Sequence, residues 1–198
     1  MLSSLLRQIH LYLALFMAPW VLMYAFSTLV MNHRDHFRQW YGGPPPAPVF
    51  ERETPFEAAL PEGANPREAG AQILAALDME GAFNATQRRT DKAIVINRLD
   101  PITPRRITYV PGSGKLSIEK TPWDMRAYLE RMHRRRGYQH DAPAEDAWAF
   151  SVDFFIAAVL LWAVSGLWMW WELRKTRRWG WVVLALGFAL FGLFTVTI

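Results

Sequence analysis

The stretch from Phe154 to Arg178, FFIAAVLLWAVSGLWMWWELRKTRR, decides the architecture. No side chain ionises between Phe154 and Trp171. Arg174, Lys175, Arg177 and Arg178 then crowd a short segment, and from Trp179 to Ile198 nothing ionises again. A membrane-spanning helix needs about 20 mostly apolar residues, so this stretch reads as span, short basic loop, span. Leu11 to Met31, where only Tyr12 and Tyr24 can ionise, is a third. The expected spans are 9–31, 150–171 and 179–197. As an average, the 198 residues look soluble: 52% hydrophobic, 20% charged, with mean hydropathy +0.00. The distribution excludes that reading. Between Asn32 and Ala147 lie 17 Lys+Arg and 16 Asp+Glu, so the chain is a membrane protein with one polar insert.

There is no cysteine. Disulfides, thiolate metal sites, iron–sulfur clusters and covalent haem attachment are therefore excluded. The insert is nearly neutral, which excludes a nucleic-acid footprint. The basic loop at 174–178 points to the cytoplasm. Three spans then place the N-terminus in the cytoplasm, and residues 32–147 and the C-terminus outside it. Trp40, Trp148, Trp168, Trp171 and Trp179 fall where an aromatic belt belongs. Pro19 is expected to kink the first helix. Ser165 and Gly166 offer a small surface for helix packing.

Five segments follow: 1–31, the first transmembrane helix; 32–65, a Pro-rich linker; 66–120, a small α+β module; 121–147, an amphipathic helix and connector; 148–198, the second and third spans. In the module, Asn65-Pro66-Arg67-Glu68 has the form of a capped helix start. Ala69, Ile73, Ala76 and Leu77 make its apolar stripe. Four β-like runs follow, Phe83–Arg88, Ala93–Leu99, Arg105–Val110 and Lys115–Glu119, with Pro111-Gly112-Ser113-Gly114 the clearest hairpin turn. A second capped helix starts at Thr121-Pro122-Trp123-Asp124 and carries Met125, Leu129, Met132 and His133 on one face.

The five histidines are the informative set. His10 opens the first span; His33 and His36 close it; His133 and His140 precede the second. Four of the five therefore gather at one membrane surface. A b-type haem needs neutral imidazoles on facing helices within an apolar slot. His33 and His133 meet that need if the 121–136 helix folds back over the end of the first span, with Asn32 or Asp35 orienting a ring. His10 stands 23 residues from His33, roughly 34 Å along a helix, so the two do not share one site. A haem near His10 would draw a second ligand from Met17, Met169 or another copy. The plainer reading is that these histidines are amphipathic interface residues. Arg134, Arg135 and Arg136 either face headgroups and solvent or attract an anionic ligand such as a metal chelate. Asp153 reads as a helix cap, an ion-pair partner of Arg131 or Arg134, or an orienter of His133. No nucleophile–base pair or phosphate loop has the required context.

Leu29-Val30-Met31-Asn32-His33-Arg34-Asp35 resembles the "LNH" ending of the first helix in PepSY-associated transmembrane helix (PepSY_TM-like) proteins. Met132-His133-Arg134, Asp153-Phe154 and Val164-Ser165-Gly166-Leu167-Trp168-Met169-Trp170-Trp171 are similar to that family's second signature block. The resemblance implies a bacterial inner-membrane protein with a periplasmic PepSY-like insert. Larger relatives include ferric-siderophore reductases holding haem b through histidines. On that likeness His33, His133 and His10 match the family's histidine positions, with His36 and His140 as further cofactor-binding candidates, and the chain would be a reductase component acting on a ferric chelate. It departs from the reductases in having three spans rather than at least four, which a homodimer or a membrane-protein partner would make up. The alternative function is a non-enzymatic, membrane-anchored binding or assembly module that uses the insert's strand edge.

Overall fold

The computed structural model describes residues 2–57, 65–135, 137–140 and 142–197. Among them, three helices are long and apolar enough to cross a membrane: α1 (Leu2–Asn32), α5 (Pro143–Glu172) and α6 (Arg177–Thr197). Between the first two lie α2 (Arg34–Trp40), β1 (Val49–Pro55), α3 (Pro66–Ala76), β2 (Phe83–Gln87), β3 (Ile94–Arg98), β4 (Arg105–Tyr109), β5 (Lys115–Lys120) and α4 (Met125–Arg134). The architecture is thus three transmembrane helices with a small α+β insert after the first. Contacts divide the chain into two compact units. One is helical and comprises the chain up to Trp20 and from Asp153 onward; the other is Val21–Val152.

In the helical unit, aromatic rings hold α1 against α5. Phe16 meets Phe154 edge-on at 5.1 Å, and Trp20 stacks on Phe155 at 6.1 Å. Ser3 donates to the Glu172 carboxylate at 2.9 Å, which ties the start of α1 to the end of α5. Trp170 and Trp171 pack against Trp181 across the turn into α6. Outward side chains such as Tyr12, Leu15, Leu160 and Phe188 are exposed apolar surface suited to lipid. α1 continues through Pro19 as unbroken helix.

In the other unit the sheet is fully antiparallel, ordered β1-β5-β4-β3-β2. Every second residue faces α3: Ile94 and Ile96, Ile107 and Tyr109, Leu116 and Ile118 are all buried. α3 contributes Ala69, Gly70, Ile73 and Leu74 to this core. A core of this size, at about 1.5–3 kcal/mol per large buried apolar side chain, accounts for a stable small module. The helix stripe is therefore rotated from expectation. Ala76 is exposed and Leu74 is buried, because α3 lies over β2 and β3 with Gly70 at closest approach. A Cβ on Gly70 would come within 2.9 Å of Phe83.

The caps and turns fall where the sequence puts them. Asn65 accepts from the Arg67 N–H at 3.0 Å, and Asp124 from the Ala127 N–H at 3.0 Å. Gly112 and Gly114, with φ of 80° and 65°, turn β4 into β5.

Two elements interrupt the stretch read as linker. α2 begins one residue after α1 ends. β1 forms an edge strand on β5, with a bulge between Phe50 and Arg52. β1 is held by cross-strand charge: Arg105 forks onto Glu51 at 2.8 and 3.1 Å, and Lys115 bonds Glu53 at 2.8 Å. The Pro- and Glu-rich composition that suggested a linker is that of a charged strand at a sheet edge. Asp153 is not a cap, since α5 starts ten residues earlier, at Pro143.

Candidate functional sites around His10 and His133

Two histidines on different elements have the same surroundings. His133, near the end of α4, has its Nδ1 2.7 Å from the Ser27 Oγ of α1. Ser27 is fully buried, and its hydroxyl donates to the Tyr24 carbonyl at 2.9 Å. The Tyr24 ring meets the His133 ring edge-on at 5.1 Å. In the helical unit, His10 of α1 has its Nδ1 2.8 Å from the Ser165 Oγ of α5. Ser165 is 6% exposed and donates to the Trp162 carbonyl at 2.9 Å. Trp162 stacks on the His10 ring at 5.0 Å with the planes 17° apart. Gly166 makes room beside the ring, since a Cβ there would stand 3.3 Å from His10 Cε1.

A serine hydroxyl has one hydrogen. In each pair the hydroxyl also reaches the carbonyl three residues back; given to that carbonyl, its hydrogen leaves the serine oxygen to accept from histidine Nδ1. A neutral imidazole protonated at Nδ1 carries its lone pair on Nε2. Each ring is thus oriented by the kind of outer hydrogen bond that metal-ligating histidines make, and in that arrangement Nε2 is the metal-ligating atom. The donor set therefore fits a haem iron or a similar transition metal through Nε2.

The remaining candidates lie elsewhere. His33 occupies the break between α1 and α2 as an exposed residue, with φ −115° and ψ 38°. His36 is exposed on α2, and His140 is half-buried after α4. Among the described residues no hydrogen bond or ring contact joins His33 to His133. Asp35 pairs with Arg38 at 3.5 Å. Arg134 and Arg34 share Glu130 at 3.1 and 2.7 Å, and Arg135 pairs with Glu145. Arg136 lies outside the described residues. Among the described residues no group of three or more His, Asp or Glu side chains is arranged to hold a metal ion.

Sequence reasoning missed Ser27 as a partner, and treated Ser165 only as a small packing residue. The available signal was a hydroxyl within an apolar span, which must find a partner. It also missed Arg126. This guanidinium pairs with Asp124 at 2.7 Å, donates to the Gly43 carbonyl at 2.8 Å and lies over the Tyr41 ring at 4.4 Å. It thereby locks the segment after α2 onto α4. The Arg126 hydrogen bond, helped by the Ala127 N–H against the cost of burial, holds the Asp124 carboxyl below its ordinary pKa.

Fold and sites together define a multi-pass membrane protein with an α+β insert and two serine-oriented histidines. The chain belongs to the putative PepSY_TM-like family, whose model matches residues 2–198. No curated protein and no solved structure matches it.

Proposed function

We propose that this PepSY_TM-like chain binds haem b through His133 and His10 and serves electron transfer to ferric chelates at the outer face of the bacterial inner membrane. The observation that carries the reading is the repeated His–Ser contact at Nδ1, with no hydrogen bond to Nε2 of either ring among the described residues. Bound haem would supply one-electron chemistry at its iron.

The chain's own residues supply the rest. Ser27 and Ser165 hold the rings and set their tautomer. Trp162 covers one face of the His10 ring, and Tyr24 packs edge-on with the His133 ring. His33 is the candidate second ligand on the His133 side, with His36 and His140 as alternatives on the same unit. The helical unit contains no second histidine, so Met17, Met169 or another copy of the chain is the candidate there. The basic loop at Arg174–Arg178 supports a cytoplasmic α5–α6 turn and a periplasmic insert. Arg134 and Arg135 support an anionic chelate as acceptor.

The test is the visible spectrum of the full chain, expressed with haem supplied and purified in detergent, before and after dithionite. Low-spin bands that sharpen on reduction, and that fall in His133→Ala and His10→Ala, are expected. A colourless protein under saturating haem overturns the proposal and favours the membrane-anchored binding module.

A further inference from the structure

The insert unit contains a cavity of about 550 Å³, lined in part by Leu99, Ala127, Arg131, Arg134, Arg135 and His140. Its volume is within the range of small-molecule sites. Its charges are unevenly matched. Glu130, in the wall, is shared by Arg34 and Arg134, and Glu145 is taken by Arg135. Arg131 forms no ion pair among the described residues. Its Nε donates to the Pro101 carbonyl at 3.0 Å, while its Nη2 is buried with no hydrogen-bond partner. A buried cationic donor left unsatisfied is costly, and an oxyanion is the group that satisfies it.

We infer that this cavity is a binding site for a small oxyanion, a carboxylate or phosphate group, received by Arg131 against the apolar wall of Leu99 and Ala127. His140 is in its wall but His133 is not, and the site does not depend on haem being bound. Its oxyanion comes from a soluble organic anion or from a lipid phosphate, and the lipid arm of the test separates the two.

The experiment titrates citrate, and separately inorganic phosphate, into the full chain in a maltoside detergent, which carries no phosphate. It is followed by calorimetry on haem-free protein, so that a failed haem reading leaves it intact. Saturable binding is expected. Arg131→Gln should weaken it about tenfold or more, as loss of a charge-assisted hydrogen bond does. Ala127→Phe, which fills the cavity without changing charge, should weaken it similarly. Arg88→Gln, in the β2–β3 turn, should not. Should Arg131→Gln fail to fold, Arg131→Lys keeps the charge and stem but lacks the terminal nitrogen fork, and the same direction of loss is expected. Adding phosphatidylcholine, which brings a lipid phosphate without net charge, weakens the citrate titration if lipid phosphate occupies the site, and leaves it unchanged if the ligand is soluble. Equal affinity in wild type, the Arg131 variant and Ala127→Phe overturns the inference. So does the absence of binding by either anion.

Discussion

Replacing Ser27 with alanine removes one oxygen and tests the His133 arrangement directly. Ser27 is fully buried and its Oγ lies 2.7 Å from His133 Nδ1. The alanine leaves a void of one oxygen atom, smaller than a water requires, so the Nδ1–H loses its partner without replacement. Leaving a buried donor unsatisfied costs about 1–3 kcal/mol. The Tyr24 carbonyl also loses the serine bond but can keep its place in the helix. On the metal side, loss of an outer hydrogen bond lowers affinity roughly 10- to 100-fold, equivalent to about 1.4–2.7 kcal/mol. The assay is a double-mutant cycle of Ser27→Ala and His133→Gln, read by unfolding in detergent, with haem titration of the Ser27→Ala protein alongside. A coupling of about 1–2 kcal/mol is expected, within the range for contacting residues. A coupling indistinguishable from zero, with wild-type haem affinity in Ser27→Ala, refutes the reasoning.

Asp124 predicts an acid response. Its folded pKa is lowered, chiefly by the Arg126 hydrogen bond. The stabilisation is therefore complete above the unfolded carboxylate range, near about 4, and is lost as pH falls through the folded value. Unfolding of the insert unit followed from neutral pH to acid should show this loss, and Asp124→Asn should abolish its pH dependence there. At neutral pH that substitution should cost about 3 kcal/mol, because it leaves the Arg126 guanidinium without its charge partner. Gly137→Ala would place a Cβ 1.9 Å from the Ala149 Cβ and 2.8 Å from its Cα. Backbone must shift, and a loss of about 1–3 kcal/mol is expected. Gly187→Ala meets nothing within 4 Å and should change stability by no more than about 0.5 kcal/mol; a shared melting point for the two variants contradicts this packing.

The transmembrane helices were legible because a charge-free run of span length has few other uses. β2 to β5 were legible because turn residues separate short alternating runs, and each boundary lies within one residue of expectation. β1 was not, because what holds it is distant: Glu51 reaches Arg105 and Glu53 reaches Lys115 only once the sheet has formed. The histidines stood out by residue type alone. Their serine partners did not, since 106 residues separate Ser27 from His133 and 155 separate His10 from Ser165. No local pattern encodes such a pairing. The rotated stripe of α3 has a similar cause, because the helix's own periodicity permits either Leu74 or Ala76, and only the approach of Gly70 to Phe83 and Ala85 selects between them.

The central claim is that serine fixes His10 and His133 with the proton on Nδ1 and the lone pair on Nε2. Nitrogen-15 magnetic resonance of histidine-labelled protein in bilayers, at mildly alkaline pH, reads this directly when the two residues are assigned by substitution. The account predicts a protonated Nδ1 and a bare Nε2 for both, with the Nε2 signals alone shifting or broadening strongly when haem is added. A protonated Nε2 at either residue, or Nε2 signals indifferent to haem, would contradict it.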